Sequence, residues 1–114
     1  MNFACKNFRV EEVVRCSLAL TKAEFKILEY LMKNHSEKIG ANKIAKDLKL
    51  DLSTVQRCVK KMTEKVILKR TQINLSEGGY IFYYCICNKI EIRGKIKDII
   101  KNWFEKANEE IDRW

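Results

Sequence analysis

The chain lacks the apolar length that a bilayer demands. A membrane-spanning helix needs about 20 predominantly apolar residues in succession, and the longest apolar run here lies within 80–87. Residues 1–10 include cations but no apolar core of the kind that marks a signal peptide. A cytoplasmic location with no membrane partner is the expectation. Metal and disulfide patterns are also missing. The cysteines Cys5, Cys16, Cys58, Cys85 and Cys87 form an odd set without framework spacing, and Cys85 and Cys87 stand two apart, not at the three of a CxxC motif. They are expected as reduced thiols that serve as small apolar side chains. The lone histidine, His35, falls near a predicted helix end with no partner at ligand spacing, so no metal and no other cofactor is expected. Paired carboxylates, a nucleophile beside a base and a Gly-rich phosphate loop are absent too, which points away from an enzyme.

Acid is in short supply. Lys and Arg number 23 against 15 Asp and Glu, a net charge of +8 on 114 residues. The surplus is local: residues 41–72 carry nine Lys/Arg and three Asp/Glu, whereas residues 91–114 carry six of each. A polyanion is the natural partner for the first stretch, through counterion release on phosphate contact. With 46% apolar and 33% charged residues, the composition is that of one folded domain with a modest core.

Apolar periodicity divides the chain. Phe8, Val10, Val13, Val14 and Leu18 share one face of a short amphipathic helix. Thr21 followed by Glu24 has capping-box spacing, and Phe25, Ile27, Leu28, Leu31 and Met32 then form a broad stripe over about three turns. Residues 34–40 read as a connection in which Ile39 adds a short strand to a later hairpin. Ile44, Ala45 and Leu48 face inward on the next helix, for which Gly40 and Asn42 are alternative caps. After a tight turn through Leu50, Asp51 or Ser53 caps a helix over about 52–65. On it Val55, Cys58, Val59 and Met62 recur at i, i+3, i+4 and i+7. From Val66 to Leu75 the pattern becomes strand-like, Ser76-Glu77-Gly78-Gly79 marks a reversal, and Tyr80 to Cys87 is the clearest strand. A helix over Glu91–Trp114 closes the chain, with a narrow apolar seam and little chain left to cover it.

Two helices joined by so short a turn, then a hairpin, describe a helix-turn-helix with a wing. Leu20-Thr21-Lys22-Ala23-Glu24, Ile44-Ala45-Lys46-Asp47-Leu48 and Ser53-Thr54-Val55-Gln56-Arg57, with Val59, Met62 and Ile67-Leu68, resemble the winged helix-turn-helix of archaeal and bacterial regulators, in particular MarR-like and TrmB-like proteins. The expected fold class is mainly α with a small β-hairpin wing: a winged helix-turn-helix with a long C-terminal dimerisation helix. Residues 1–88 are expected to form the DNA-binding domain with its N-terminal helix, and residues 89–114 the dimerisation helix. The resemblance departs at Lys49 and Val66, where such proteins favour Gly. Either the turn is reshaped or the strain of a left-handed residue, on the order of 1 kcal/mol, is tolerated.

The expected function is a sequence-specific, double-stranded DNA-binding transcriptional regulator acting as a homodimer, its recognition helix about 52–65 in the major groove and its wing about 66–88 near the minor groove. Gln56 and Arg57 carry the chemistry for adenine and guanine edges, and Lys43, Lys60 and Lys61 suit phosphate. Ser53 and Thr54 suit phosphate or a thymine methyl. Lys69, Arg70 and Gln72 are the wing candidates. Ile92, Ile96, Ile99, Trp103, Ala107 and Ile111 are the expected dimerisation seam, since most soluble oligomers are symmetric dimers. The sequence names no effector. Two rival readings are a winged-helix protein-interaction module of a transcription or replication assembly, and a thiol or metal switch at Cys85 and Cys87.

Overall fold

The computed structural model describes residues 1–114. In chain order the elements are β1 (Asn2–Phe3), β2 (Lys6–Asn7), α1 (Val10–Leu18), α2 (Lys22–Lys33), β3 (Ile39–Gly40), α3 (Ala41–Leu48), α4 (Leu52–Glu64), β4 (Leu68–Asn74), β5 (Tyr80–Ile86) and α5 (Lys89–Arg113). The β1–β2 hairpin was not anticipated by periodicity, because two-residue strands leave no period to read. Its edge-to-face Phe3–Phe8 pair, with centroids 6.4 Å apart, holds it to the start of α1.

Local chemistry explains where the scaffold helices begin. At α2 the Thr21 hydroxyl accepts from the Glu24 amide at 3.2 Å, and the Glu24 carboxylate accepts from the Thr21 amide at 3.0 Å. Two amides without helical partners are thereby satisfied. Gly40, not Asn42, occupies the cap of α3. Asp51 stands at the cap of α4, but its carboxylate accepts from the Ser53 hydroxyl and not from a helix amide. The two alternative caps are thus bonded to each other.

The helix ends keep the strain that the sequence raised. Lys49 has φ 55° and Val66 φ 61°, both left-handed. A β-branched residue rarely adopts that region. At each site the chain reverses so that the next residue closes the helix: the Leu50 amide donates to Ala45 O and the Ile67 amide to Met62 O, both at 2.9 Å. Ile67 is fully buried by the turn and Leu50 packs against the core. Apolar burial of this size, about 1.5–3 kcal/mol for a complete side chain, offsets the backbone cost.

The three helices α2, α3 and α4 enclose the core around Ile27, Leu31, Ile44, Val55, Val59 and Met62. A three-stranded antiparallel sheet, ordered β3-β5-β4, closes one side. Ile39 pairs with Tyr84, and β4 runs against β5 from Leu68↔Ile86 to Asn74↔Tyr80. Gly78 and Gly79, at φ 97° and 80°, make the hairpin reversal. The molecule is a winged helix-turn-helix with a long C-terminal helix.

That last helix starts earlier than its apolar period shows. Asn88 caps it, accepting from the Ile90 amide at 2.8 Å. Its 25 residues extend about 38 Å at 1.5 Å per residue. Its seam is not uniform, and here one expectation is corrected. Ile92 is only 4% exposed and lies in the protein's own core, with Ile96 packed against it. The amphipathic α1 supplies the cover, since α5 packs on it. Beyond that point Ile99, Trp103, Phe104, Ile111 and Trp114 are exposed.

Candidate nucleic-acid interface

An amphipathic helix seated by one face leaves the other to solvent, and α4 does so sharply. Val55, Cys58, Val59 and Met62 are buried, while Ser53, Gln56, Arg57, Lys60 and Lys61 are exposed and Thr54 is half-buried. Burial pushes the Cys58 thiol up from its ordinary range, with the Glu24 carboxylate adding to the effect. The thiol is a packing group. On the outer face the Arg57 guanidinium donates to the Thr54 hydroxyl at 3.4 Å, one helical turn away.

Lys43 reaches the same side from α3. Its ammonium donates to the Asp47 carboxylate at 3.3 Å, which also accepts from the Tyr30 hydroxyl at 2.5 Å. The Tyr30 bond, then Lys43, holds the Asp47 carboxyl below its ordinary value against a smaller opposing effect of desolvation. Burial, reinforced by Asp47, pushes the Tyr30 phenol up to about 12. The trio ties α3 to α2.

A groove of about 440 Å³ joins these elements to the sheet, lined among others by Lys38, Asn42, Lys43, Gln56, Phe82 and Tyr83. Lys38 and Asn42 were missed by sequence reasoning. Asn42 had been read only as a cap, and once Gly40 takes that role its amide side chain is free on the exposed face.

The wing separates its three candidates. Alternation along β4 puts Arg70 and Gln72 on one face and Lys69 on the other. Arg70 sits with its guanidinium over the Phe82 ring at 4.2 Å from the centroid, a cation–π contact. Burial raises the Tyr84 phenol, and Arg70 opposes that rise. Cys85 and Cys87 lie near the Lys69 and Val66 carbonyls at 4.0 and 3.8 Å. No group of three or more His, Cys, Asp or Glu side chains is gathered anywhere.

Comparison with known proteins places these features in a family. The model of the DnaD N-terminal domain matches residues 9–107. A solved protein of Methanosarcina mazei, described as a possible transcriptional regulator, is 43% identical, with a TM-score of 0.93 over 100% of this chain and 95% of that one. A protein of Methanocaldococcus jannaschii is 29% identical over 99 residues, 87% of this chain and 74% of its own length. A mutant of S. aureus MepR bound to an oligodeoxyribonucleotide shares the fold at 16% identity, with a TM-score of 0.61 over 91% of this chain and 80% of that one.

Proposed function

The chain belongs to the DnaD N-terminal domain family, and from that premise and the geometry of α4 we propose that it is a sequence-specific, double-stranded DNA-binding transcriptional regulator that acts as a homodimer. One observation carries the reading: α4 buries Val55, Cys58, Val59 and Met62 and turns Gln56, Arg57, Lys60 and Lys61 together to solvent. Two likenesses support it. The Methanosarcina mazei protein is described as a possible regulator, and MepR with the same fold holds an oligodeoxyribonucleotide.

In this reading α4 enters the major groove, with Arg57 reading guanine and Gln56 adenine. Lys43, Lys60 and Lys61 contact phosphates, and Ser53 and Thr54 contact phosphate or a thymine methyl. On the wing, Arg70 and Gln72 act from one face and Lys69 from the other. Residues 1–88 form the DNA-binding unit and 89–114 the dimerisation helix, paired through Ile99, Trp103, Ala107 and Ile111. Two copies then present α4 helices roughly 34 Å apart to a pseudo-palindromic site. The MarR-like and TrmB-like architecture, a short wing and a long pairing helix, is the finer assignment within this reading. The work is done in the cytoplasm without a cofactor.

Mobility shift across a salt series tests the DNA claim. Log affinity should fall linearly with log salt, by about 0.9 for each phosphate contacted. Absence of binding to any duplex at low salt overturns it. The exposed Trp103 and Phe104 also suit a second reading, a protein-interaction module; light scattering that shows a monomer over a wide concentration range favours that reading.

A further inference from the structure

The face of the wing that carries Arg70 has an order of its own. Along β5 it bears Tyr84, Phe82 and Tyr80, and the strand register sets Arg70, Gln72 and Asn74 of β4 directly opposite them. A column of aromatic rings therefore runs beside a column of hydrogen-bonding side chains. The Tyr80 and Phe82 rings lie 5.1 Å apart, and Arg70 covers Phe82. The Gln72 amide donates to the Asn74 amide oxygen at 3.2 Å. Tyr84 is buried at the inner end, whereas Tyr80 at the outer end is 56% exposed.

Charge separates this surface from one made to grip phosphate. Residues 71–88 contain no Lys or Arg, and their single acid is Glu77 at the tip. The outer wing offers a phosphate backbone no cation. Rings, amides and a stacked guanidinium instead match a nucleobase, which has a π-face to stack and edge donors and acceptors to satisfy. Bases within a duplex are stacked and paired, so the matching base belongs to an unpaired strand. The wing adjoins the α4 surface, since Phe82, with Ile81 and Tyr83, lines the same groove as Gln56.

We propose that the wing face formed by Arg70, Gln72, Asn74, Tyr80 and Phe82 is a stacking site for an unpaired base of a DNA strand that leaves the duplex held by α4. The proposal rests on the duplex-binding reading above. The base stacks on Tyr80, and the Gln72 and Asn74 amides exchange their mutual bond for bonds to its edge. A protein ligand is the competing occupant, and the opposite face, with its Ile73↔Ile81 pair, has the apolar chemistry for that role.

Fluorescence anisotropy with three labelled DNAs tests the site: a blunt duplex, the same duplex with a short unpaired extension on either strand, and the single strand alone. The extended duplex should bind about 5- to 150-fold tighter than the blunt one for one stacked base. Tyr80→Ala should abolish that advantage without changing blunt-duplex affinity, and Tyr80→Trp should retain it. Equal affinity for blunt and extended duplexes, or an equal loss on both in Tyr80→Ala, overturns the stacking site and leaves the duplex reading standing. Binding of the extended duplex and the single strand without the blunt duplex overturns the duplex reading, and with it a site fed by a strand that leaves a duplex held by α4. No binding to any of the three overturns both.

Discussion

Helices α4 and α5 are both amphipathic, yet they meet the rest of the chain in opposite ways. On α4 Val55, Cys58, Val59 and Met62 are buried, and its polar face carries Arg57, Lys60 and Lys61 within the basic stretch 41–72. On α5 only the first two turns are covered, and residues 91–114 balance to zero charge. Apolar periodicity alone announces that a helix wants a neighbour; whether that neighbour is the same chain depends on how much chain remains nearby. Charge supplies the second distinction. A basic free face suits a polyanion, while a neutral face with an apolar seam suits another copy of itself.

The contrast predicts a graded series of effects. Met62→Ala removes a fully buried side chain of α4 and should destabilise the fold by about 2–5 kcal/mol, read as a lower urea midpoint. Trp103→Ala on α5 should leave the intrinsic fold almost unchanged. It should weaken self-association by roughly 30-fold or more, if the exposed tryptophan is an anchor worth about 2 kcal/mol. Light scattering over a dilution series reads that loss, and a large drop in intrinsic stability would show that the outer helix is scaffold instead. Arg57→Ala should relax sequence preference by about 1–3 kcal/mol at one base position, whereas Lys60→Ala should weaken all duplexes alike and lower the salt slope by about 1. Identical behaviour of the two variants in competitive binding would remove their separate roles.

Smaller effects belong to the joints of the scaffold. Val66→Gly relieves a left-handed β-branched residue and should stabilise by up to about 1 kcal/mol, since the flexibility gained by the unfolded chain cancels part of the relief. The Tyr30–Asp47 bond gives a pH signature at each extreme. Tyr30 is raised to about 12, so its contribution is complete below the ordinary phenol value near 10 and fades as pH rises from about 10 to about 12. Asp47 is lowered, so its contribution is present above the ordinary carboxyl value and fades as pH falls through its own. Tyr30→Phe should remove the alkaline loss, measured as Tm against pH.

How far these features were readable depends on the range of the interaction. Thr21 and Glu24 announce their helix because both partners of the bond lie within one turn. Val55, Cys58, Val59 and Met62 announce a buried face because the helical period is regular. Gly78-Gly79 announces a reversal because few other residues tolerate two positive φ values. The misreadings involve partners distant in sequence. Ile92 matched a dimer seam because nothing local says that α1 folds back over it. Lys69, Arg70 and Gln72 were grouped as wing candidates, and only the register against β5 sets Lys69 on the face opposite the other two. Asp51 and Ser53 were rival caps by type, and only the geometry pairs their side chains.

The long final helix gives the protein principal extents of 65 × 23 × 23 Å, nearly three times as long as wide. Such a rod drags more than a sphere of its own mass, so a single copy elutes early from a sizing column and imitates a larger species. It also tumbles faster about its long axis than end over end, and nuclear relaxation rates will vary with the direction of each bond vector. Hydrodynamic radius is therefore a poor gauge of copy number for this molecule, and absolute mass is the sound one.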